Sequence, residues 1–278
     1  MTLTPSSTIS DAWKLESGKP GPTLCLLGGI HGNEPAGTQL IRSIVNDQRT
    51  LPLTRGSVVL ALGNPAAIEK NLRFCEADLN RSFLPKENPS NTLEARRAEE
   101  LKTLLDASDV LLDIHSSFAA TSQPFLICEA NAAGIARQLP VPLLCSGFDA
   151  LHPGGTDGTM NAIGKIGICY ETGPADDAAG IDRAWKIVQA TLGALGMLDC
   201  SPALLQEQKS LQAETLYRSR TDRFVLSRPY ADFEDLSDNE IIGYDGTEPV
   251  KGKAGDVILF ARNAEQPATE CFVLARNI

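Results

Sequence analysis

The chain has 278 residues, 42% of them hydrophobic, with 35 acidic against 25 basic side chains and a formal net charge of −10. That length and composition exclude wholesale disorder, a collagen-like or coiled-coil rod and a bundle of membrane spans. They fit one large domain, or a large domain and a small one. The acidic excess argues against nucleic acid or an anionic membrane as the main partner.

Seven cysteines occur with no pair at CxxC spacing. Cys25, Cys128 and Cys169 sit in apolar runs and read as small buried hydrophobes of a reducing compartment. The start, MTLTPSSTISDAWK, lacks a signal-peptide pattern. No apolar stretch approaches the roughly 18 residues of a bilayer span. The expected location is the cytoplasm, with no membrane partner.

In chain order, short apolar runs alternate with longer amphipathic ones up to about residue 200. Thr23 to Gly28 reads as a buried strand, and Pro35 to Asp47 as a helix with Leu40, Ile41, Ile44 and Val45 on one face. Ser57 to Leu62 is a second strand, closed by the turn signal Asn64-Pro65. Thr92 to Ala107 has Leu93, Arg97, Leu101, Leu104 and Leu105 at helical spacing, with a charged face opposite. Val110 to Ile114, Phe125 to Cys128, Leu143 to Cys145 and Ile166 to Tyr170 read as further strands, and Ala178 to Leu195 as a long helix. Such alternation predicts an α/β fold, a mostly parallel mixed sheet flanked by helices. After Pro202 short β-type runs separated by Gly, Pro and Asp predict a small all-β region. The expected division is therefore 1–200 and 201–278.

Only three histidines are present. His31 and His115 follow predicted strands, and Glu171 ends a third, in GICYE. Parallel strands put their C-terminal ends along one edge, where open α/β sheets build ligand crevices. In GGIHGNEP, His31 and Glu34 lie three residues apart on a glycine-flanked loop that enters a helix at Pro35. With His115 they make two imidazoles and one carboxylate, the ligand set of hydrolytic zinc with a fourth position left for water. Taken singly, His31 and Glu34 fit a surface pair equally well, and His115 a core histidine; the joint placement favours a site. In RFCEADLNRSF, Arg73 and Arg81 flank Asp78 and Asn80, which suits a carboxylate and a developing oxyanion. A solvated loop would carry the same residues.

HGNE, DLNR, the strand-end DIHSS and the strand-end ETG, in this order, resemble the succinylglutamate desuccinylase/aspartoacylase family of the zinc carboxypeptidase superfamily. The likeness covers roughly Leu24 to Pro174, and the β-rich tail is similar to that family's C-terminal domain near the active-site mouth. The resemblance implies one zinc per chain on His31, Glu34 and His115. It implies Glu171 as general acid/base and Arg73 as the arginine that polarises the scissile carbonyl. Asn80 and Arg81 match the pair that holds a substrate carboxylate, and Asp78 a residue that orients a zinc histidine.

Aspartate-specific members carry a Tyr and an Arg after a His-Pro pair. Here His152-Pro153 is followed by GGTDGTMNAIGKIG, with Asn161 where that Arg would fall and Lys165 nearby. The departure points to an N-acyl amino acid with a smaller or neutral side chain. His152 reads as a loop histidine, and the Gly154–Gly167 run lacks the GK[ST] ending of a phosphate loop. The acidic stretch Asp232 to Glu240 reads as a solvated loop.

The expected function is zinc-dependent removal of an acyl group from a small N-acyl amino acid. Two alternatives remain: a zinc carboxypeptidase acting on short peptides, discriminated by pocket size, and a zinc-binding protein without catalysis. An exposed β edge on the tail would support a homo-oligomer.

Overall fold

A computed structural model describes residues 3–84, 91–117, 119, 121–199 and 207–278. The expected 200/201 division falls outside them. The strands are β1 (Leu3–Pro5), β2 (Ala12–Glu16), β3 (Thr23–Gly28), β4 (Ser57–Leu62), β5 (Val110–Ser117), β6 (Phe125–Cys128), β7 (Leu143–Ser146) and β8 (Ile166–Pro174). Beyond residue 207 come β9 (Lys209–Arg218), β10 (Phe224–Leu226), β11 (Glu234–Asp235), β12 (Ile241–Asp245), β13 (Glu248–Lys251), β14 (Val257–Leu259) and β15 (Glu270–Asn277). The helices are α1 (Pro35–Val45), α2 (Pro65–Lys70), α3 (Leu93–Asp106), α4 (Ala133–Ala136), α5 (Phe148–Leu151), α6 (Thr156–Ala162) and α7 (Gly180–Ala194).

Twelve strands form one sheet in the order β1-β2-β4-β3-β5-β8-β6-β7-β9-β15-β14-β11. Its centre, β4-β3-β5-β8, is parallel, and antiparallel strands extend it on both sides. The central strands are buried along nearly their whole length, and apolar up to their C-terminal ends, because both faces are covered. Leu24 and Leu26 pack with α1 and α7 on one side. Cys25 and Leu27, pointing the other way, pack with α3 and Met160 of α6.

The β-rich end is continuous with this sheet, since β9 pairs in parallel with β7 and antiparallel with β15. A shared core, including Phe125, Cys145, Leu211, Val257 and Val273, spans the junction. A second sheet, β10-β12-β13, closes over Phe224, Ile242 and Phe272. No helix among the described residues is long and apolar enough to cross a membrane.

Three local readings need correction. Asn64-Pro65 does not end in a turn but starts α2, with the Asn64 side chain accepting from Ala67 N–H and Pro65 in the first turn. On α3 the buried face carries Glu94, Arg97, Ala98, Leu101 and Leu105, while Leu93 is exposed. Glu94 and Arg97 are buried because backbone groups of neighbouring loops satisfy them: Arg97 donates to the carbonyls of Ser10, Leu62 and Gly63. Within the acidic 232–240 stretch Asp232 is buried, and Glu234 and Asp235 form β11.

Candidate active site

Pairing of β5 with β8 sets His115 opposite Glu171, and pairing of β3 with β5 sets Gly28 opposite Ile114. The three strand ends therefore deliver their polar residues to one edge. Helix α1 presses directly on the end of β3. A Cβ on Gly28 would come within 2.5 Å of the Gly37 backbone, so only glycine permits this approach. That contact holds Glu34, the residue just before α1, beside His31.

The two imidazoles converge on the Glu34 carboxylate. Nδ1 of His31 lies 2.7 Å from Oε1, and Nδ1 of His115 lies 3.0 Å from Oε2, which also accepts from Ser116 N–H. Behind each ring stands another carboxylate: Asp78 Oδ1 is 3.2 Å from His31 Nε2, and Asp113 Oδ2 is 3.1 Å from His115 Nε2. Burial pushes the Glu34 pKa up, but His31 and His115 outweigh it and hold the carboxyl well below its usual range. For His115, burial pulls downward, while Asp113 and Glu34 raise it well above the ordinary imidazole value.

Ligand atoms of His31, Glu34 and His115, all buried, lie within 4.8 Å of one another. Two imidazoles and a carboxylate on a buried edge, each imidazole backed by an acid, could hold zinc with a position open to a reactant.

Glu171 is 9% exposed, and its Oε2 is buried with no hydrogen-bond partner. Burial first, and then the Glu34 charge, push its carboxyl up to about 7, against the pull of His115 and His31.

Arg73 lies in the same wall, with Nη1 3.4 Å from Glu34 Oε1 and Nη2 3.3 Å from Asp78 Oδ2. Its loop is held from below by Glu94, fully buried, whose carboxylate accepts from the N–H groups of Cys75, Glu76 and Ala77 and from the Asn64 amide. Asn80 and Arg81 lie on a single 3-10 turn, with Asp78 accepting from Asn80 N–H and Asn80 Oδ1 accepting from Thr156 N–H.

His31, Glu34, His115, Glu171, Arg73, Asn80 and Arg81 line one cavity of about 320 Å³, into which the β-rich region also reaches with Phe260, Arg262, Glu270 and Phe272. Asp78 stands behind His31 and is not part of the wall. Arg81 donates to His152 Nδ1 at 2.6 Å and pairs with Glu270 at 3.3 Å, so His152 is built into the wall instead of lying on a loop surface. Glu270 also faces Arg218 and Arg262, at 3.2 and 3.7 Å. Phe260 lies in the left-handed region, φ 56°, where a bulky residue is strained. The buried Asp232, which accepts its N–H at 2.6 Å and bonds Ser117, holds it there.

The sequence reading missed Asp113, Glu94, Asp232, Arg262 and Glu270. Only Asp113 carried a local signal: in DIH it shares a strand face with His115, two residues on.

Residues 20–199 match the succinylglutamate desuccinylase/aspartoacylase catalytic domain. An N-acyl-aromatic-L-amino acid amidohydrolase (carboxylate-forming) of Rattus norvegicus is 32% identical over 201 residues, 66% of this chain and 62% of the relative. An aspartoacylase of Xenopus tropicalis is 30% identical over 195 residues, 62% of each chain. The match thus spans less than two thirds of either relative's length. In fold, the chain resembles a succinylglutamate desuccinylase from Vibrio parahaemolyticus, with TM-score 0.77 and 16% identity over 100% of this chain and 92% of that one. It also resembles a succinylglutamate desuccinylase/aspartoacylase from Rhodobacter sphaeroides, with TM-score 0.74 and 18% identity over 99% and 94%. A catalytic-domain match over most of the α/β region, on a fold shared from end to end with these structures, means that the chain belongs to the succinylglutamate desuccinylase/aspartoacylase family.

Proposed function

We propose that the protein is a zinc-dependent amidohydrolase that removes the acyl group from an N-acyl amino acid. The observation that carries this reading is Glu171, a buried carboxylate with an unpartnered oxygen in the same cavity as His31, Glu34 and His115. Those three residues would hold one zinc per chain. Zinc bound there supplies Lewis-acid polarisation of the amide carbonyl and acidifies water.

The chain's own groups do the rest. Asp78 and Asp113 fix the imidazoles through their Nε2 atoms, leaving both Nδ1 atoms turned to the site. Glu171 takes the proton of the attacking water at Oε2 and returns it to the departing nitrogen. Arg73 sets its positive charge where the carbonyl oxygen becomes an oxyanion, an interaction strongest when that charge has developed. The Asn80 amide and the Arg81 guanidinium receive the carboxylate of the amino-acid part, with Glu270 and His152 holding Arg81 in place. One water is consumed, the C–N bond breaks, and a carboxylate and a free amino acid leave.

The relatives' named activities support the amide chemistry. A cavity of about 320 Å³, walled partly by the β-rich region, supports a single N-acyl amino acid over a peptide. The test is free-amine release from N-acetyl and N-succinyl amino acids and from dipeptides, with and without a zinc chelator. Chelator-sensitive release from N-acyl amino acids is expected; release from dipeptides alone would make the protein a carboxypeptidase.

A further inference from the structure

Arg81 enters the cavity wall from the 3-10 turn Leu79–Arg81, and its guanidinium is already engaged by the protein. Nη1 donates to the Asn80 carbonyl at 2.9 Å. Nη2 donates to Nδ1 of His152 at 2.6 Å and to Glu270 Oε2 at 3.3 Å. The other Glu270 oxygen, Oε1, stands 3.2 Å from the same His152 Nδ1. One ring nitrogen thus lies between a cationic donor and an anionic acceptor, and it can serve only one of them. Without a proton, Nδ1 accepts from Arg81. With one, it donates to Glu270 and turns an N–H toward Arg81 in place of a lone pair.

Packing holds the ring in this position. Phe148 is buried and stacks on it, with centroids 5.6 Å apart and planes 12° from parallel. Nε2 of His152 has no protein partner among the described residues, so the neutral ring carries its proton there and leaves Nδ1 to Arg81. The charged groups around the ring come from three elements. They are Arg81 of the 3-10 turn, Glu270 of β15, and Arg218 of β9, which pairs with Glu270 Oε1 at 3.2 Å. Arg262, just before β15, reaches Glu270 Oε2 at 3.7 Å. Asp149 and Asp157 line the same cavity and make no ion pair with the ring. Burial holds the His152 pKa below the ordinary imidazole value; Glu270 pulls it upward, and Arg81 and Arg218 pull it down again.

We propose that His152 is a positioning residue whose neutral ring aims Arg81 at the substrate carboxylate, and that a proton taken from solvent onto Nδ1 withdraws this support and weakens carboxylate binding. The proposal rests on the deacylase reading of the cavity, in which Arg81 receives that carboxylate. Protonation draws Glu270 toward the ring and places a second cation against Arg81, which is left with the Asn80 carbonyl and a shared counter-ion. Little solvent reaches the pair to screen that repulsion, since the side chains of His152 and Arg81 are 13% and 19% exposed. Added positive charge by itself would attract an anion. A carboxylate, however, takes two parallel bonds only from a guanidinium held in one orientation, and that orientation is what the proton removes.

Two measurements on the zinc-loaded protein test this. In the first, nitrogen NMR of histidine-labelled protein follows His152, whose signals are identified by their loss in His152→Asn. The neutral ring should be protonated at Nε2, and its titration midpoint should move up by about one pH unit or more in Arg81→Met. In the second, KM and kcat for the N-acetyl amino acid hydrolysed fastest are followed from neutral to acid pH in excess zinc. One pH unit below the His152 midpoint KM should be raised by about tenfold, as the fraction of protein with a neutral ring falls. His152→Asn offers Arg81 an amide oxygen that takes no proton, so its KM should lack this acid rise. A neutral ring protonated at Nδ1, a midpoint indifferent to Arg81, or the same KM profile in wild type and His152→Asn would overturn the proposal. If no N-acyl amino acid is hydrolysed, the deacylase reading fails, and the NMR titration still upholds or overturns the competition between Arg81 and the proton for Nδ1.

Discussion

The two ends of the cavity are built in different ways. At the inner end, His31, His115 and Glu171 come from the ends of adjacent parallel strands and Glu34 from the loop that leads into α1, and short stretches of chain fix their relations: a spacing of three from His31 to Glu34, one register pair between His115 and Glu171. At the outer end, Glu270 arrives from the β-rich region, paired with Arg262, and meets Arg81 and His152 across well over a hundred residues of chain. The inner end is thus rigid and suited to chemistry. The outer end depends on how the antiparallel extension docks on the sheet, and it is where selectivity for the substrate can vary without disturbing the reaction.

Perturbing the inner end should have the largest effects. Glu34→Ala removes the carboxylate on which both histidines converge, so metal content measured by elemental analysis and turnover should vanish together. Asp113→Asn keeps His31, Glu34 and His115 but weakens the group that stands behind the His115 ring. Zinc affinity should fall by about 10–100-fold in a chelator competition assay, with activity recovering at high zinc. An unchanged affinity would mean that the β5 backbone alone orients the ring.

At the outer end the effects should be smaller and of another kind. Glu270→Gln leaves Arg81, Arg218 and Arg262 without their shared counter-charge, so KM should rise by about tenfold with a lesser change in kcat. Equal losses in both would tie Glu270 to the chemistry.

Farther out, Asp245 is 2% exposed. Burial pushes its carboxyl up, but hydrogen bonds from the Thr221 hydroxyl, the Arg220 and Thr221 N–H groups and Tyr217 outweigh it and hold the pKa below the usual range. A depressed folded pKa means stability that is complete above the unfolded value of about 4 and lost as pH falls through the folded one. The gap in urea midpoint between wild type and Asp245→Asn should therefore be constant near neutral pH and shrink below about pH 4. A gap that persists in acid would show that shape, not charge, is what Asp245 contributes.

The same contrast governs how much the sequence could reveal. Buried strands announce themselves as apolar runs, and a parallel sheet aligns their ends, so the sequence pattern alone brings His31, His115 and Glu171 to one edge. Glu94 could not be foreseen as the anchor of the Arg73 loop, because an acid on a charged helix looks solvated until the backbone it caps is in place. Arg262 and Glu270 were hidden for a topological reason: pairing of β9 with β7 and of β15 with β9 leaves no mark in the local pattern of either segment. The Gly154–Gly167 run, read only as lacking a phosphate-loop ending, folds into α6 and brings Asp157 to the cavity.

The most direct test of the central claim is Glu171→Gln, assayed for zinc content and for N-acyl amino acid hydrolysis on the same sample. A glutamine fits the space but cannot take a proton from water. The variant should keep one zinc per chain and lose turnover by about 10²–10⁴-fold. Full activity with zinc retained would contradict the assignment of the proton-transfer step to this carboxylate.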